Sequence, residues 1–255
     1  MKSLLATAAL LLLGTATFAD AVKVGVAAEA YPPFASPNAS GVFEGWEIDF
    51  INAVCAAAEM ECVVTPVAWD GIIPSLVGGQ IDTIMASMSI TEERMKTIDF
   101  SNKYYNTPTE IVGAKGIVMD ATPAGLTGKI VGVQASTNHQ TYVQKYFEPV
   151  AAEIKTYQTL DEANQDLVAG RIDASIADTI AQDAFLLTDA GKSCCESKGN
   201  VKDDPAILGL GIGAGVRKGD DALRNKINEA IAKIIADGTY DKITAKYFAS
   251  SIYGG

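Results

Sequence analysis

Apolar residues along the chain recur at two different spacings, and the two spacings alternate. Residues 22–26 follow the two-residue period of a strand, whereas the apolar residues of 47–59 recur at helical spacing. The same criteria predict strands at residues 62–67 and 81–85, with a helix over residues 71–77 between them. Strands and helices that alternate in this way indicate an α/β fold with a largely parallel sheet.

A second set of elements repeats the first. The sequence LVGGQID at residues 76–82 returns as LVAGRID at residues 167–173, and each copy reads as a helix that ends at glycine before a buried strand. We therefore predict two similar lobes that face one cleft. The second lobe is predicted to contain strands at residues 129–133, 153–157 and 172–177 and helices over residues 140–147 and from residue 161.

The remaining segments predict how the lobes are joined. Residues 109–113 and 208–215 are glycine-rich and extended, so they are candidates for the two crossovers of a hinge. Residues 221–248 predict an amphipathic helix, a break at Gly238 and a short helix, all packed on the first lobe. The expected division is lobe 1 over residues 20–108 plus 213–255, and lobe 2 over residues 109–212.

The first 19 residues have the order of a secretory signal peptide. Lys2 precedes an apolar run, and small residues then lead to Ala19, after which we expect cleavage. The run is short for a bilayer span, which disfavours a membrane anchor. The mature chain is therefore expected to be exported.

Charge and composition exclude several classes of protein. The net charge of −11 repels nucleic acid and anionic lipid, so neither is an expected partner. The chain has one histidine, His139, and no metal-ligand spacing, so neither a metal nor a cofactor is expected. No activated nucleophile is visible, and we expect a non-enzymatic monomer.

The four cysteines form two local pairs. Cys55 lies late in a predicted helix and Cys62 at the start of a predicted strand, so a disulfide would join them at a gain of about 2–3 kcal/mol. Two free buried thiols are the alternative. Cys194 and Cys195 are adjacent, and they can bond to each other, pair elsewhere or stay reduced.

The repeat places two polar residues in equivalent positions. If the copies correspond, Ser87 matches Asp178, and each lies at the carboxyl end of a strand, where ligands bind in open α/β sheets. A carboxylate and a hydroxyl suit an ammonium group. The alternative for Asp178 is that it caps the following helix.

Other residues suit the opposite charge. A carboxylate is held by a guanidinium and by amide donors at a helix start. Arg94 follows Ser89, which has the capping-box spacing to Glu92, while Ser136 and Thr137 open another helix directly after a strand. Alternatively, Arg94 pairs with a neighbouring glutamate on a solvated face, and the hydroxyls are only helix caps.

Two aromatic residues complete the candidate site. Tyr31 and Trp69 lie in strand-to-helix loops of the first lobe, where they can form flat apolar walls or ordinary half-buried core. Taken together, the polar and aromatic residues predict a cleft that holds a small zwitterion.

Motifs spread over the chain add a family resemblance. The chain resembles the periplasmic solute-binding proteins of polar amino-acid ABC transporters, in the branch that binds lysine/arginine/ornithine, histidine and opines. The resemblance implies a type II two-lobed fold and delivery of a captured amino acid to an ABC permease. It rests on YPPF at residues 31–34, GWEID at 45–49, WDGIIPSL at 69–76, SMSIT-x-x-R at 87–94, GRIDA at 170–174 and DGTYDK at 237–242.

The resemblance also implies a role for each candidate residue. The spacing of Cys55 and Cys62 is similar to that of the branch's disulfide, and Asn138 stands where the branch usually has glutamine. The implied ligand contacts are Arg94, Ser89, Ser136 and Thr137 for the carboxylate, Asp178 and Ser87 for the ammonium, and Tyr31 and Trp69 for the side chain.

Two positions depart from the family pattern. Ala28 stands where members that bind cationic side chains carry an acidic residue, and strand alternation would aim the adjacent Glu29 away from the cleft. Ala86 replaces a serine. Both changes make the far end of the pocket less polar, which weakens the case for lysine or arginine and leaves a neutral, aromatic or cyclic derivative or an opine open.

Two alternatives to a transport protein remain. One is an enzyme similar to the periplasmic cyclohexadienyl dehydratases, for which Glu29 or His139 would be the general acid. The other is a sensory module that presents its ligand to a receptor kinase. A binding protein needs no catalysis, because a ligand that contacts both lobes only in the closed form stabilises that form.

Overall fold

The structure is a computed structural model that describes residues 21–254. The predicted signal peptide, residues 1–19, lies outside the described residues. Between residues 21 and 254, no helix is both long enough and apolar enough to cross a membrane.

Strands and helices follow one another as the apolar pattern predicts. In chain order they are β1 (Val22–Ala27), β2 (Ser36–Pro37), β3 (Phe43–Glu44), α1 (Trp46–Ala57), β4 (Cys62–Val67), a 3-10 turn (Trp69–Gly71), α2 (Ile72–Val77), β5 (Thr83–Ile84), α3 (Glu92–Met95), β6 (Ile98–Tyr105), β7 (Thr109–Ala114), β8 (Ile130–Gln134), α4 (Asn138–Tyr146), β9 (Glu153–Tyr157), α5 (Leu160–Val168), β10 (Ala174–Asp178), α6 (Thr179–Leu186), α7 (Asp189–Cys194), β11 (Cys195–Asn200), α8 (Pro205–Leu208), β12 (Ile212–Arg217), α9 (Asp221–Ala236) and α10 (Thr239–Thr244).

The main strands form two five-stranded sheets with the same topology. The first sheet has the order β4-β1-β5-β12-β6 and the second, read from the matching edge, β9-β8-β10-β7-β11. In each sheet the first three strands are parallel, and the last two run antiparallel to their neighbours. Each sheet is therefore mixed, and β5 and β10 occupy equivalent central positions.

The repeated sequence has the same structural role in both sheets. The Asp82 carboxylate accepts a hydrogen bond from the Lys23 N–H at 3.0 Å, and the Asp173 carboxylate accepts one from the Ile130 N–H at 2.8 Å. Each aspartate thus fixes the start of the following strand, β5 or β10, beside its parallel neighbour, β1 or β8. This shared bond explains why Gly-x-Ile-Asp recurs. In each sheet the aspartate of the motif sets the register of the strand that follows it.

The chain passes between the sheets at two short segments. Residues 106–108 connect β6 to β7, and residues 209–211 connect α8 to β12. Of the two predicted crossover segments, residues 109–113 belong instead to β7. That strand is hydrogen-bonded on both sides, to β10 and β11, so its backbone is held in the sheet.

Helix α3 begins differently from the predicted capping box. Its N-cap is Thr91, whose hydroxyl accepts a hydrogen bond from the Arg94 N–H at 3.2 Å. Ser89 does not cap the helix, because it is still extended there and forms a β-bridge with Ile212. A complete capping box occurs at α5, between Thr159 and Glu162.

An aromatic core joins the tail to the first sheet. Trp46 and Phe50 on α1 stack with ring centroids 5.2 Å apart, and Phe50 stacks on Tyr104 at 4.4 Å. Helix α9 packs on the same core through its buried isoleucines. Gly238, at φ 78°, separates α9 from α10, as the sequence predicts.

Both cysteine pairs form disulfides. Cys55 and Cys62 are bonded with their Cα atoms 6.2 Å apart, and the bond ties the end of α1 to the start of β4. Cys194 and Cys195 are bonded to each other where α7 passes into β11.

We expect the double variant Cys55→Ser/Cys62→Ser to lose about 2–3 kcal/mol of unfolding free energy, because the unfolded chain is no longer constrained by the short loop. Urea unfolding followed by circular dichroism measures this. Because Cys194 and Cys195 close no loop of comparable length, the variant Cys194→Ala/Cys195→Ala should lose less. Equal losses in the two variants would contradict the loop argument.

Candidate functional site

A cavity lies between the two sheets, at the carboxyl ends of five strands. Its wall in the first lobe comes from the loops that follow β1, β4 and β5, together with α1 and α3. Its wall in the second lobe comes from the ends of β8 and β10 and the start of α4. This is the edge at which open α/β sheets bind ligands. The chemically important lining residues are Glu29, Tyr31, Glu47, Trp69, Ser87, Arg94, Thr137, Asn138, His139 and Asp178.

Arg94 brings a positive charge into this cavity. Its guanidinium donates one hydrogen bond, from Nη1 to the Ser89 carbonyl at 3.0 Å, and its Cζ lies 5.4 Å from the centre of the Trp69 ring. Desolvation lowers the pKa of Arg94 to about 10, so the group remains charged at neutral pH. Within residues 21–254 no carboxylate lies within 4.0 Å of it. Glu93 pairs instead with Lys96, which removes the alternative of a solvated ion pair at that residue.

Asp178 brings a buried negative charge from the other lobe. Its Oδ2 accepts a hydrogen bond from the Tyr31 hydroxyl at 2.7 Å, and its Oδ1 lies 3.4 Å from Nε2 of His139. Burial raises the pKa of Tyr31 well above its usual value, so that hydroxyl keeps its proton. Although Asp178 stands at the N-cap position of α6, its side chain makes no cap hydrogen bond. The carboxylate is therefore directed to the cavity.

Ser87 is held in place by a residue that is not among the predicted site residues. The Glu47 carboxylate accepts hydrogen bonds from the Ser87 N–H at 2.9 Å, from the Ser87 hydroxyl at 3.1 Å and from the Tyr104 hydroxyl. Ser87 has φ 53°, a left-handed conformation that this anchoring maintains. The signal in the sequence is an acidic residue placed three and four positions before Phe50 and Ile51, on the buried face of α1.

Glu29 lies in the cavity wall, contrary to the expectation from strand alternation. Strand β1 ends at Ala27, so the two-residue period no longer governs the direction of Glu29. The Trp69 backbone N–H donates to both oxygens of the Glu29 carboxylate, at 3.2 Å to Oε1 and 3.1 Å to Oε2. Ala28 is exposed and does not line the cavity, whereas Ala86 does. The far end of the pocket is therefore more polar than the sequence indicates.

The remaining predicted residues divide into two groups. Thr137 and Asn138 line the cavity, and Thr137 also caps α4 by accepting the Gln140 N–H at 3.1 Å. Ser136 and Ser89 lie outside the lining. Ser136 is exposed, and Ser89 faces an adjoining cavity beside the crossover segments.

Three hydrogen bonds donated by side chains of the cavity wall run directly between the lobes. The Tyr31 hydroxyl donates to Asp178, the Trp69 indole N–H donates to the Ser136 carbonyl at 3.2 Å, and the Asn138 amide donates to the Ser89 hydroxyl at 3.1 Å. The two walls are thus in contact, and the lobes are closed. For the described part of the chain, no three His, Cys, Asp or Glu side chains are grouped to hold a metal ion.

Comparison with known proteins gives the family. Residues 22–250 match the bacterial extracellular solute-binding proteins, family 3. The chain belongs to this family. It is 40% identical to the L-arginine-binding protein of Pseudomonas aeruginosa, over 99% of this chain and 98% of that protein. It is 39% identical to the histidine-binding periplasmic protein of Salmonella typhimurium, over 94% of each.

Solved structures agree with this assignment. An ancestral arginine-binding protein bound to arginine superposes on this family 3 protein with a TM-score of 0.81 and 34% identity, covering 90% of this chain and 98% of that one. The predicted two-lobed periplasmic-binding-protein fold is confirmed, as is the family resemblance.

Glu47→Ala should lower the free energy of unfolding by about 3 kcal/mol, because it leaves the donors of Ser87 and Tyr104 without an acceptor. Urea unfolding at pH 7 measures the loss. The control Glu61→Ala, at an exposed position, should change stability by less than about 0.5 kcal/mol. A Glu47→Ala variant as stable as the control would contradict the anchoring role.

The Glu47 carboxylate also makes the free energy of unfolding depend on pH. Burial raises the pKa of Glu47 above its usual value of 4.5, so the folded state binds this proton more tightly than the unfolded chain. Its contribution to stability is complete below pH 4.5 and is lost as the pH rises through the folded pKa. In urea unfolding at a series of pH values, the wild-type protein should therefore lose stability relative to Glu47→Gln as the pH rises above 4.5.

Proposed function

We propose that this family 3 protein captures an amino acid between its lobes in the periplasm and delivers it to an ABC permease. The observation that carries the proposal is the pair of opposite charges on opposite walls. Arg94 comes from the first lobe without a carboxylate partner in the described chain, and Asp178 comes from the second lobe. An α-amino acid has a carboxylate for the first and an ammonium for the second.

Each charge of the ligand would then find a prepared partner. A guanidinium binds a carboxylate with two parallel hydrogen bonds, and the capped start of α4 at Thr137 adds amide donors. The Asp178 carboxylate, with the Ser87 hydroxyl opposite, receives the ammonium. Tyr31 and Trp69 form part of the wall around the side chain.

We further propose that the side chain of the ligand is cationic. The cavity has three carboxylates, Glu29, Glu47 and Asp178, against one guanidinium, Arg94. Asp178 balances the ammonium, Arg94 balances the ligand's carboxylate and Glu47 is bonded to Ser87 and Tyr104, so the Glu29 carboxylate beside Trp69 remains for the side chain. Relatives named for arginine and histidine support this choice.

The lobe division is part of the proposal. Lobe 1 comprises residues 20–108 and 213–255, lobe 2 comprises residues 109–212, and the two crossings at residues 106–108 and 209–211 form the hinge. A ligand that contacts both walls stabilises the closed form by its differential affinity. The leader at residues 1–19 would direct export, and the ligand would be released unchanged.

A thermal-shift screen of the mature protein against the common L-amino acids tests the proposal, because a ligand of the native state raises its melting temperature. We expect the largest shifts with arginine, lysine or histidine. Mass spectrometry should recover the ligand chemically unaltered after long incubation. Absence of a shift with every amino acid, or conversion of the ligand, would refute the proposal.

Arg94→Ala should weaken binding of the best ligand by more than about 100-fold, since it removes the charge-assisted contact to the carboxylate. Isothermal calorimetry measures the affinity, and circular dichroism checks the fold. The matched control is Arg171→Ala in the second lobe, where the arginine is exposed and pairs with Asp166. If Arg94→Ala bound the ligand as tightly as the wild-type protein, Arg94 would not be the residue that holds the ligand's carboxylate.

Asp178→Asn should weaken ligands with a free α-amino group by about 10- to 100-fold, because an amide cannot compensate the ammonium charge. Nα-acetylated ligands should lose far less. The control is Asp183→Asn, an exposed position on α6. Equal losses for free and acetylated ligands would show that Asp178 does not hold the ammonium.

A further inference from the structure

His139 is a buried histidine in the cavity wall that the proposed capture of an amino acid does not use. It is the second residue of α4, its residue surface is 6% exposed, and it is the only histidine in the chain. Its Nε2 lies 3.4 Å from Oδ1 of Asp178 and has no hydrogen-bond partner among the described residues.

The arrangement beside Asp178 suits a cation. The Tyr31 hydroxyl donates its hydrogen bond to Oδ2 of Asp178. The other oxygen, Oδ1, then lies beside Nε2 of His139. In a neutral imidazole Nε2 can be an acceptor, and two adjacent acceptors repel each other unless a donor lies between them. An ammonium group has three N–H donors, so one ammonium can satisfy both atoms.

We infer that His139 is a ligand-binding residue, whose neutral Nε2 accepts a hydrogen bond from the ligand's α-ammonium beside Asp178 and whose protonation expels the ligand. The inference rests on the proposed capture of an amino acid by this cavity. It adds a hydrogen bond to the ligand that forms only when the imidazole of His139 is neutral.

The charged groups around His139 give the direction of the effect. The first-lobe wall of the cavity has the carboxylates Glu29 and Glu47, which favour an imidazolium, the guanidinium of Arg94, which opposes it, and the uncharged hydroxyl of Tyr31. On its own lobe, Asp178 is the carboxylate in contact with it.

On the side of α4 toward α8, the nearby carboxylate of Asp204 is bonded to other residues. Asp204, just before α8, is bonded to Lys145 and Tyr146 at the far end of α4, with distances of 2.9 and 2.8 Å. The proton on His139 and the ammonium of the ligand therefore compete for the same carboxylate.

This competition makes affinity depend on pH. Imidazole is the side chain that normally changes its charge between pH 5 and 8. Protonation of the ring removes the acceptor and places a second cation beside Asp178, so the protonated form binds the ammonium less well. We expect affinity to fall as the pH is lowered from 7.5 to 5.5 for a ligand that does not titrate in that range.

Calorimetry with L-arginine and tag-free mature protein at pH 5.5, 6.5 and 7.5 tests the inference. Wild type should lose affinity as the pH falls, whereas His139→Gln, which has no titrating ring, should give a flat profile. The control Glu110→Gln should keep the wild-type profile, because Glu110 bonds to Ser197 and does not line the cavity. If His139→Gln kept the wild-type pH profile, another group would cause the pH dependence and the inference would be overturned.

A second measurement needs no variant. With a single histidine in the chain, the imidazole gives one set of NMR signals, whose pH titration reports His139 directly. Saturating L-arginine should move the titration midpoint to lower pH. An unmoved midpoint with arginine bound would overturn the role of His139 alone, whereas failure of wild type to bind any amino acid at any pH would overturn the proposed function and this inference together.

Discussion

Arg94 enters a desolvated cavity, where a lone cation is unfavourable unless an anion lies beside it. Burial lowers its pKa, yet only to about 10, so the charge is kept. Its one hydrogen bond to the Ser89 carbonyl fixes its direction without neutralising it. The carboxylates of the cavity stand on other parts of the wall, and one of them belongs to the other lobe. The electrostatics of the cavity are therefore completed by a molecule with separated charges.

The duplicated topology explains how the opposing charges come to face each other. Both sheets have three parallel strands followed by two antiparallel ones, and β5 and β10 are equivalent. Ser87 follows β5, and Asp178 ends β10. Glycine stands at matching positions as well, and a Cβ at Gly25 or Gly132 would come within 2.3 or 2.5 Å of Cδ1 of Ile81 or Ile172, so that these side chains would have to shift. The repeat thus conserves packing within each lobe, while polar residues at the strand ends differ.

Periodicity was sufficient to predict most strands and helices, because one buried face imposes its spacing on the sequence. It was insufficient where a strand stops. Glu29 lies two residues beyond β1, and its direction is set by the Trp69 N–H rather than by alternation. Glu47 sits on an apolar helix face, where a pattern of hydrophobic residues gives no information about its partners from β6 and the loop after β5. Likewise Ser89 has capping-box spacing, but long-range pairing with Ile212 keeps it extended.

Three hydrogen bonds donated by residues of the cavity wall join the lobes: Tyr31 to Asp178, Trp69 to Ser136 and Asn138 to Ser89. The bonds from Trp69 and Asn138 end on residues outside the cavity lining, so their contribution to the closed geometry depends little on which molecule is enclosed. Discrimination between candidate cargoes must then arise from the walls alone, since closure itself adds a constant to every binding free energy. Substitutions in the wall can therefore change the preferred ligand without removing the hydrogen bonds from Trp69 and Asn138 that join the lobes.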